Sequence, residues 1–284
     1  MRVTVNYRNK ANKDLILYLH LLVIVFFTGA RYQPQEYTFG TVELRHTPPT
    51  PLTLVGEYKM DRQPYHGRAW IINNLASDQK TSAGAQNDVK NVTTLFKYLG
   101  YEVKEEVGLD KDGMMALFDK IAEFDHTRYD SFVCCILSHG EEHGQLFYGS
   151  PKEPVVIGDL VGCLNASVCT SLKGKPKMFF INACRGSKTQ RPVALERIPD
   201  TADFLFCYAT SSGYTAYEPD TGSCYIKEVC KIITENAVTR ASLSDMMTKV
   251  NEVVASTVQS GNAIQAPEIT SRLRKHVTFF QNVN

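Results

Sequence analysis

Residues 131–137 read Ser-Phe-Val-Cys-Cys-Ile-Leu, a run with no charge and six apolar side chains in a row. Neighbouring side chains of a strand point to opposite faces of its sheet, so such a strand must bury both faces. That condition is met inside a mostly parallel sheet with helices packed on each side. A second run of this kind, 177–182 behind Pro176, repeats the requirement.

The rest of the chain supplies the alternating elements that such a sheet needs. Short apolar stretches at 69–72 and 204–209 predict further strands, Tyr101-Glu102-Val103 opens another, and 272–280 predicts a last one. Helical spacing appears over 88–99, where Val89, Val92, Leu95, Phe96 and Leu99 share a face and Gly100 ends the pattern. Helices are also expected over 112–124, 157–164, 222–236 and 242–258. The expectation is an α/β fold with a central, mostly parallel six-stranded sheet and helices on both faces. No internal repeat of 20–50 residues is visible.

Composition narrows the class. The 284 residues carry 31 Lys+Arg against 30 Asp+Glu, a formal charge of +1, which gives no support to nucleic-acid binding. Eight cysteines, all after residue 133, are too sparse for a disulfide scaffold, and none are spaced for a structural zinc site. They read as packed thiols in a reducing, cytoplasmic setting. No metal or cofactor is expected. Residues 1–57 read as a pro-segment ending in a proline-rich linker. Its stretch 15–27 is apolar, follows Arg2, Arg8, Lys10 and Lys13, and precedes small residues. That layout fits a signal peptide, a membrane-associating pro-segment or an extension with no role, and the sequence leaves the three open. The apolar run is shorter than the roughly 20 residues of a membrane-spanning helix.

In open α/β sheets, sites form beyond the carboxyl ends of the strands. Ser138-His139-Gly140 follows the run 131–137, and Asn182-Ala183-Cys184-Arg185-Gly186 follows the strand 177–181. A cysteine nucleophile needs a base that raises its thiolate fraction, and histidine is the usual one. The oxyanion formed on attack needs preorganised N–H donors, which the backbones of Gly140 and Cys184 can offer.

The motif Asn-Ala-Cys-Arg-Gly with a histidine 45 residues upstream resembles the caspase pattern Q-A-C-[RQG]-G with its histidine about 50 residues upstream. Further stretches resemble caspase landmarks in caspase order. They include Tyr58-Lys59-Met60-Asp61, Ile71-Ile72-Asn73-Asn74, Leu99-Gly100-Tyr101, Asp130-Ser131-Phe132-Val133, Gly174-Lys175-Pro176-Lys177 and Ala202-Asp203-Phe204-Leu205. The resemblance implies a caspase-like fold, with 58–186 like the large subunit, 187–197 a short linker and 198–284 like the small subunit. It implies Cys184 as nucleophile, His139 as general base and acid, and a ring-orienting carbonyl near Lys80. It also implies a substrate loop at Tyr214, Thr215 and Ala216, and a dimer formed through 272–280.

Three positions depart from the family. Caspases cut after aspartate and hold it with two arginines and a glutamine. The first arginine, in a loop pattern R-x-G-x-x-x-D, falls on Ser82 of Ser82-Ala83-Gly84-Ala85-Gln86-Asn87-Asp88. The second falls on Tyr217, and the glutamine on Asn182. Lys80 and Arg68 are the nearby cations that could stand in. The linker 187–197 contains no aspartate at which an active caspase would cut. Two readings follow. The chain is a caspase-like protein with weak or no aspartate-directed activity that regulates an active paralogue in apoptosis, by pairing or as a decoy. Alternatively, it is an active cysteine endopeptidase of ordinary or altered specificity, acting on peptides or proteins. Neither reading calls for nucleic acid, and a membrane role rests on 15–27 alone.

Overall fold

The computed structural model describes residues 4–7, 40–43, 55–76, 82–140, 146–148, 154–183, 202–210, 221–257 and 265–280. The chain divides into two units, 1–54 and 55–284. In the first, strands β1 (Thr4–Tyr7) and β2 (Gly40–Glu43) pair antiparallel. The stretch 15–27 lies outside the described residues.

The second unit is built on a six-stranded sheet of β3 (Gly67–Asn73), β4 (Tyr101–Val107), β5 (Phe132–Leu137), β9 (Lys177–Asn182), β10 (Phe204–Tyr208) and β11 (Glu268–Ser271). Their order across the sheet is β11-β10-β9-β5-β3-β4, parallel except for the antiparallel pair β10–β11. All six residues of β5 are buried, and they alternate between two cores. Val133, Cys135 and Leu137 join the core under α1 (Ser82–Tyr98), α4 (Cys224–Asn236) and α5 (Leu243–Ser256). Phe132, Cys134 and Ile136 join the core under α2 (Lys111–Glu123) and α3 (Ile157–Gly162). The two-sided burial expected from the apolar runs is therefore the architecture observed.

Helix starts follow from local chemistry. The Asp110 carboxylate accepts from the Gly113 N–H at 2.7 Å and caps α2. Ser242 caps α5, accepting from the Asp245 N–H at 3.2 Å and donating to the Asp245 carboxylate at 2.7 Å. Gly100 follows α1 with φ +76, a backbone state that glycine adopts without strain.

The structure corrects three expectations. The last strand of the sheet is Glu268–Ser271, not 272–280. Arg272 still bonds across to the β10 side, its N–H donating to Phe204 O, but beyond it the backbone of the 272–280 stretch bonds elsewhere: the His276 N–H donates to Gly56 O, the Tyr58 N–H to His276 O, and the Leu243 N–H to Val277 O. Its apolar alternation reflects burial of Val277 and Phe279 in the core rather than a ladder. Secondly, α1 starts at Ser82 rather than at 88, so the run 82–88 is helix and not loop. Thirdly, a small antiparallel ladder of β6 (His139–Gly140), β7 (Leu146–Tyr148) and β8 (Pro154–Val156) follows β5.

A charged clasp closes the far end of the domain. Asp203 (φ +69) precedes β10 and accepts two bonds from the Arg274 guanidinium at 2.8 and 2.7 Å and one from the Tyr58 hydroxyl at 2.6 Å. The Arg274 N–H in turn donates to that hydroxyl at 3.0 Å. Burial pushes the Asp203 carboxyl up, but the Arg274 and Tyr58 hydrogen bonds outweigh it and hold the group below the ordinary carboxylate range.

Candidate active site

Register aligns the carboxyl ends of the three central strands. Asn73 pairs with Leu137, and Leu137 pairs with Asn182. The Asn74 N–H donates to Leu137 O at 2.8 Å and the Ser138 N–H to Asn182 O at 3.2 Å, so the ladder runs one step past the strands. Paired parallel strands lie about 4.8 Å apart. His139 is two residues beyond Leu137, and Cys184 is two residues beyond Asn182. The two chains that bear them therefore leave neighbouring strands at the same edge and the same height.

His139 and Gly140 are half-buried and face Tyr148 and Phe147 across the small ladder. That pairing ties the backbone which carries the imidazole to β7 as well as to β5. Asn182 is fully buried and takes a hydrogen bond from the Ser223 hydroxyl at 3.4 Å. Ser82 is the first residue of α1, and its half-buried side chain carries no charge. Cys184, Lys80, Tyr214, Thr215, Ala216 and Tyr217 lie outside the described residues.

Arg68, one of the two cations expected to be able to stand in for the family's arginine, lies away from the carboxyl ends of the strands. Arg68 is the second residue of β3, at the amino end of the sheet. Its Nε donates to Glu102 at 2.8 Å, and its guanidinium lies 3.8 Å from the centroid of the Phe124 ring. Five residues separate it from Asn73, about 16 Å of strand, so it does not reach the carboxyl edge.

A buried carboxylate that the apolar patterns did not flag lies beside the site. Asp88, on α1, accepts from the Ser223 N–H through both oxygens, at 3.0 and 3.1 Å. Ser223 also caps α4, its hydroxyl accepting from the Ile226 N–H at 3.4 Å. Burial pushes the Asp88 carboxyl up to about 7, against the opposing pull of the Ser223 bonds and of Lys227. The sequence holds two partial signals, Asp88 as the last residue of the run set against R-x-G-x-x-x-D and Gly222-Ser223 as a helix-start signature, and neither joins the one to the other.

The caspase-domain family matches residues 66–278 of the chain. The chain belongs to the caspase family. It is 34% identical over 245 residues to caspase-3 of Felis catus, covering 78% of this chain and 87% of that one. It is similar also to caspase-3 of Xenopus laevis, 34% identical over 233 residues, with 77% and 82% covered. Caspase-7 of Gallus gallus is 32% identical over 256 residues, with 80% and 81% covered. The sheet order and helix layers are thus those of a caspase-like α/β fold.

Among the described residues no helix is long and apolar enough to cross a membrane. Seven cysteines fall among the described residues, and all are free thiols. Burial pushes Cys134, Cys135 and Cys207 well above the ordinary thiol range. Such groups stay protonated and unreactive at neutral pH.

Proposed function

We propose that this chain keeps the thiol–imidazole chemistry of its family while lacking strong recognition of aspartate. It acts in apoptotic proteolysis by pairing with an active family member or by occupying that member's partners. Cys184 is the nucleophile. His139 takes its proton as the thiolate attacks the scissile carbonyl, then returns it to the leaving amine. The N–H groups of Gly140 and Cys184 stabilise the oxyanion.

The observation that carries the loss of aspartate recognition is Ser82. It opens α1 where the family pattern has an arginine, and Arg68 is held at the opposite end of β3. Tyr217 and Asn182 replace the other two groups that would grip the carboxylate. A buried charge without its partner costs about 2–5 kcal/mol, or about 30- to several-thousand-fold in kcat/KM at 1.4 kcal/mol per tenfold.

A second reading, an active cysteine endopeptidase with altered specificity, is favoured by the Leu137–Asn182 register. A pure decoy has no need to retain both Cys184 and His139 on strands aligned in this way. Two additions separate the readings. Adding the Cys184→Ala protein to an active family member should change that member's rate on a reporter peptide. No change, together with Cys184-dependent peptide cleavage by the unmodified protein, would favour the second reading.

A further inference from the structure

We propose that Asp88 is a positioning residue of this site, which holds from α1 both the Ser223 backbone, beyond the substrate-loop stretch, and Asn182. The inference rests on reading 214–217 as the substrate loop. Three segments distant in sequence meet at this point: residue 88 of α1, Asn182 at the end of β9, and Gly222-Ser223, which begins five residues after Tyr217. The Asp88 carboxylate takes the Ser223 N–H on both oxygens. The Ser223 hydroxyl then reaches the Asn182 side-chain carbonyl. Asn182 is two residues before Cys184.

The backbone is shaped to this carboxylate. Gly222 has φ +96, and a Cβ built on it would lie 2.6 Å from an Asp88 carboxylate oxygen. Only glycine supplies both that conformation and that approach. Buried among these groups, a carboxylate is a costly choice, since an amide of the same shape would satisfy the Ser223 N–H without carrying charge. Among the described residues, the titratable groups that face it are Lys227 and Cys230 of α4 and Cys135 of β5. Burial keeps both thiols protonated, so among these groups Lys227 is the cation that favours the ionised form. An ionised Asp88 is a stronger acceptor than an amide, and its grip fixes the Ser223 backbone at the start of α4. A small error in that anchor would carry to the residues that precede it in sequence and, through Ser223, to Asn182.

The test uses the full chain and its Asp88→Asn and Asp88→Ala variants. Cys184 is labelled with iodoacetamide and, separately, with a pool of peptidyl acyloxymethyl ketones varied at the residue next to the reactive group. Both rates are read by peptide mapping, and thermal unfolding is followed at pH 8. The peptide-probe rate should fall about tenfold or more in both variants, while the iodoacetamide rate stays within about twofold and Asp88→Asn melts no lower than the unmodified protein. An unchanged peptide-probe rate overturns the proposal, as does a joint fall of both labels with a lower melting point. If the unmodified protein takes no peptide probe, the peptidase reading fails by itself. The anchor is then read from amide exchange over residues 222–226. Exchange about tenfold faster in Asp88→Ala sustains the anchor, and equal exchange overturns it.

Discussion

Leu137 and Asn182 pair in register on adjacent parallel strands, and the Ser138 N–H extends that pairing by bonding to Asn182 O. Because His139 and Cys184 each follow this pair by two residues in sequence, the ladder brings the stretches that lead to both to one edge of the sheet. Of the positions at which this chain departs from the family pattern, Asn182 belongs to that pair itself, whereas Ser82 opens a helix and can change without disturbing the strands.

Breaking the clasp at Asp203 should loosen the domain. Asp203→Asn keeps the left-handed backbone that asparagine tolerates and removes the charge. At pH 7 it should cost about 1–3 kcal/mol, below the figure for a fully buried pair because Arg274 is open to solvent. The Asp203 carboxyl is held low in the folded protein, so its contribution is present above about pH 4, the unfolded value, and is lost as pH falls through the folded one. Urea unfolding at pH 7 and pH 3 should therefore show a difference that shrinks at the lower pH. An equal difference at both would contradict the clasp.

Asp88 has the opposite sign. Its folded value is raised to about 7, so the folded state binds the proton more tightly than the unfolded chain does. The stability it contributes is full below about pH 4 and is lost as pH rises through 7. Between pH 5 and pH 8 the unmodified protein should lose about 2–3 kcal/mol relative to Asp88→Asn. Parallel stability curves for the two proteins across that range would show that Asp88 is ionised throughout.

Three thiols should be silent in the native state. Cys134, Cys135 and Cys207 are fully buried and pushed well above the thiol range. Iodoacetamide at pH 7.5 should label them at least about a thousandfold more slowly than in the unfolded chain, since reaction must wait for opening. Mass mapping after brief labelling checks this, and rapid native modification of any of the three would contradict the packing.

The linker should survive an active caspase. Residues 187–197 hold no aspartate. Incubation followed by electrophoresis should leave a single chain across residues 186–203. Efficient cleavage there would show that the protein is processed as an ordinary zymogen.

What the sequence made legible follows its physics. Strands β5 and β10 are continuous apolar runs and β9 has an apolar centre at 178–181, and two-sided burial leaves few alternatives. A spaced motif singles out His139 and Cys184; the structure describes the first, and Cys184 lies outside the described residues. The start of α1 was not legible, because 82–87 has no apolar periodicity, and neither was β11, a four-residue edge strand with no apolar face of its own. Leu273, Val277 and Phe279 mimic a strand while serving as core contacts. The Asp88–Ser223 bond joins residues 135 positions apart and leaves no local pattern.

The central claim is that thiol chemistry persists while the aspartate pocket does not. Its most direct measurement is Cys184-dependent cleavage of a peptide library varied at the residue before the cut, with an active family member run alongside. Cleavage after aspartate should be about 30-fold or more slower than that member's, with no preference for aspartate over neutral residues. Cys184-dependent cleavage that prefers aspartate, at a rate within tenfold of the active member, would contradict the account.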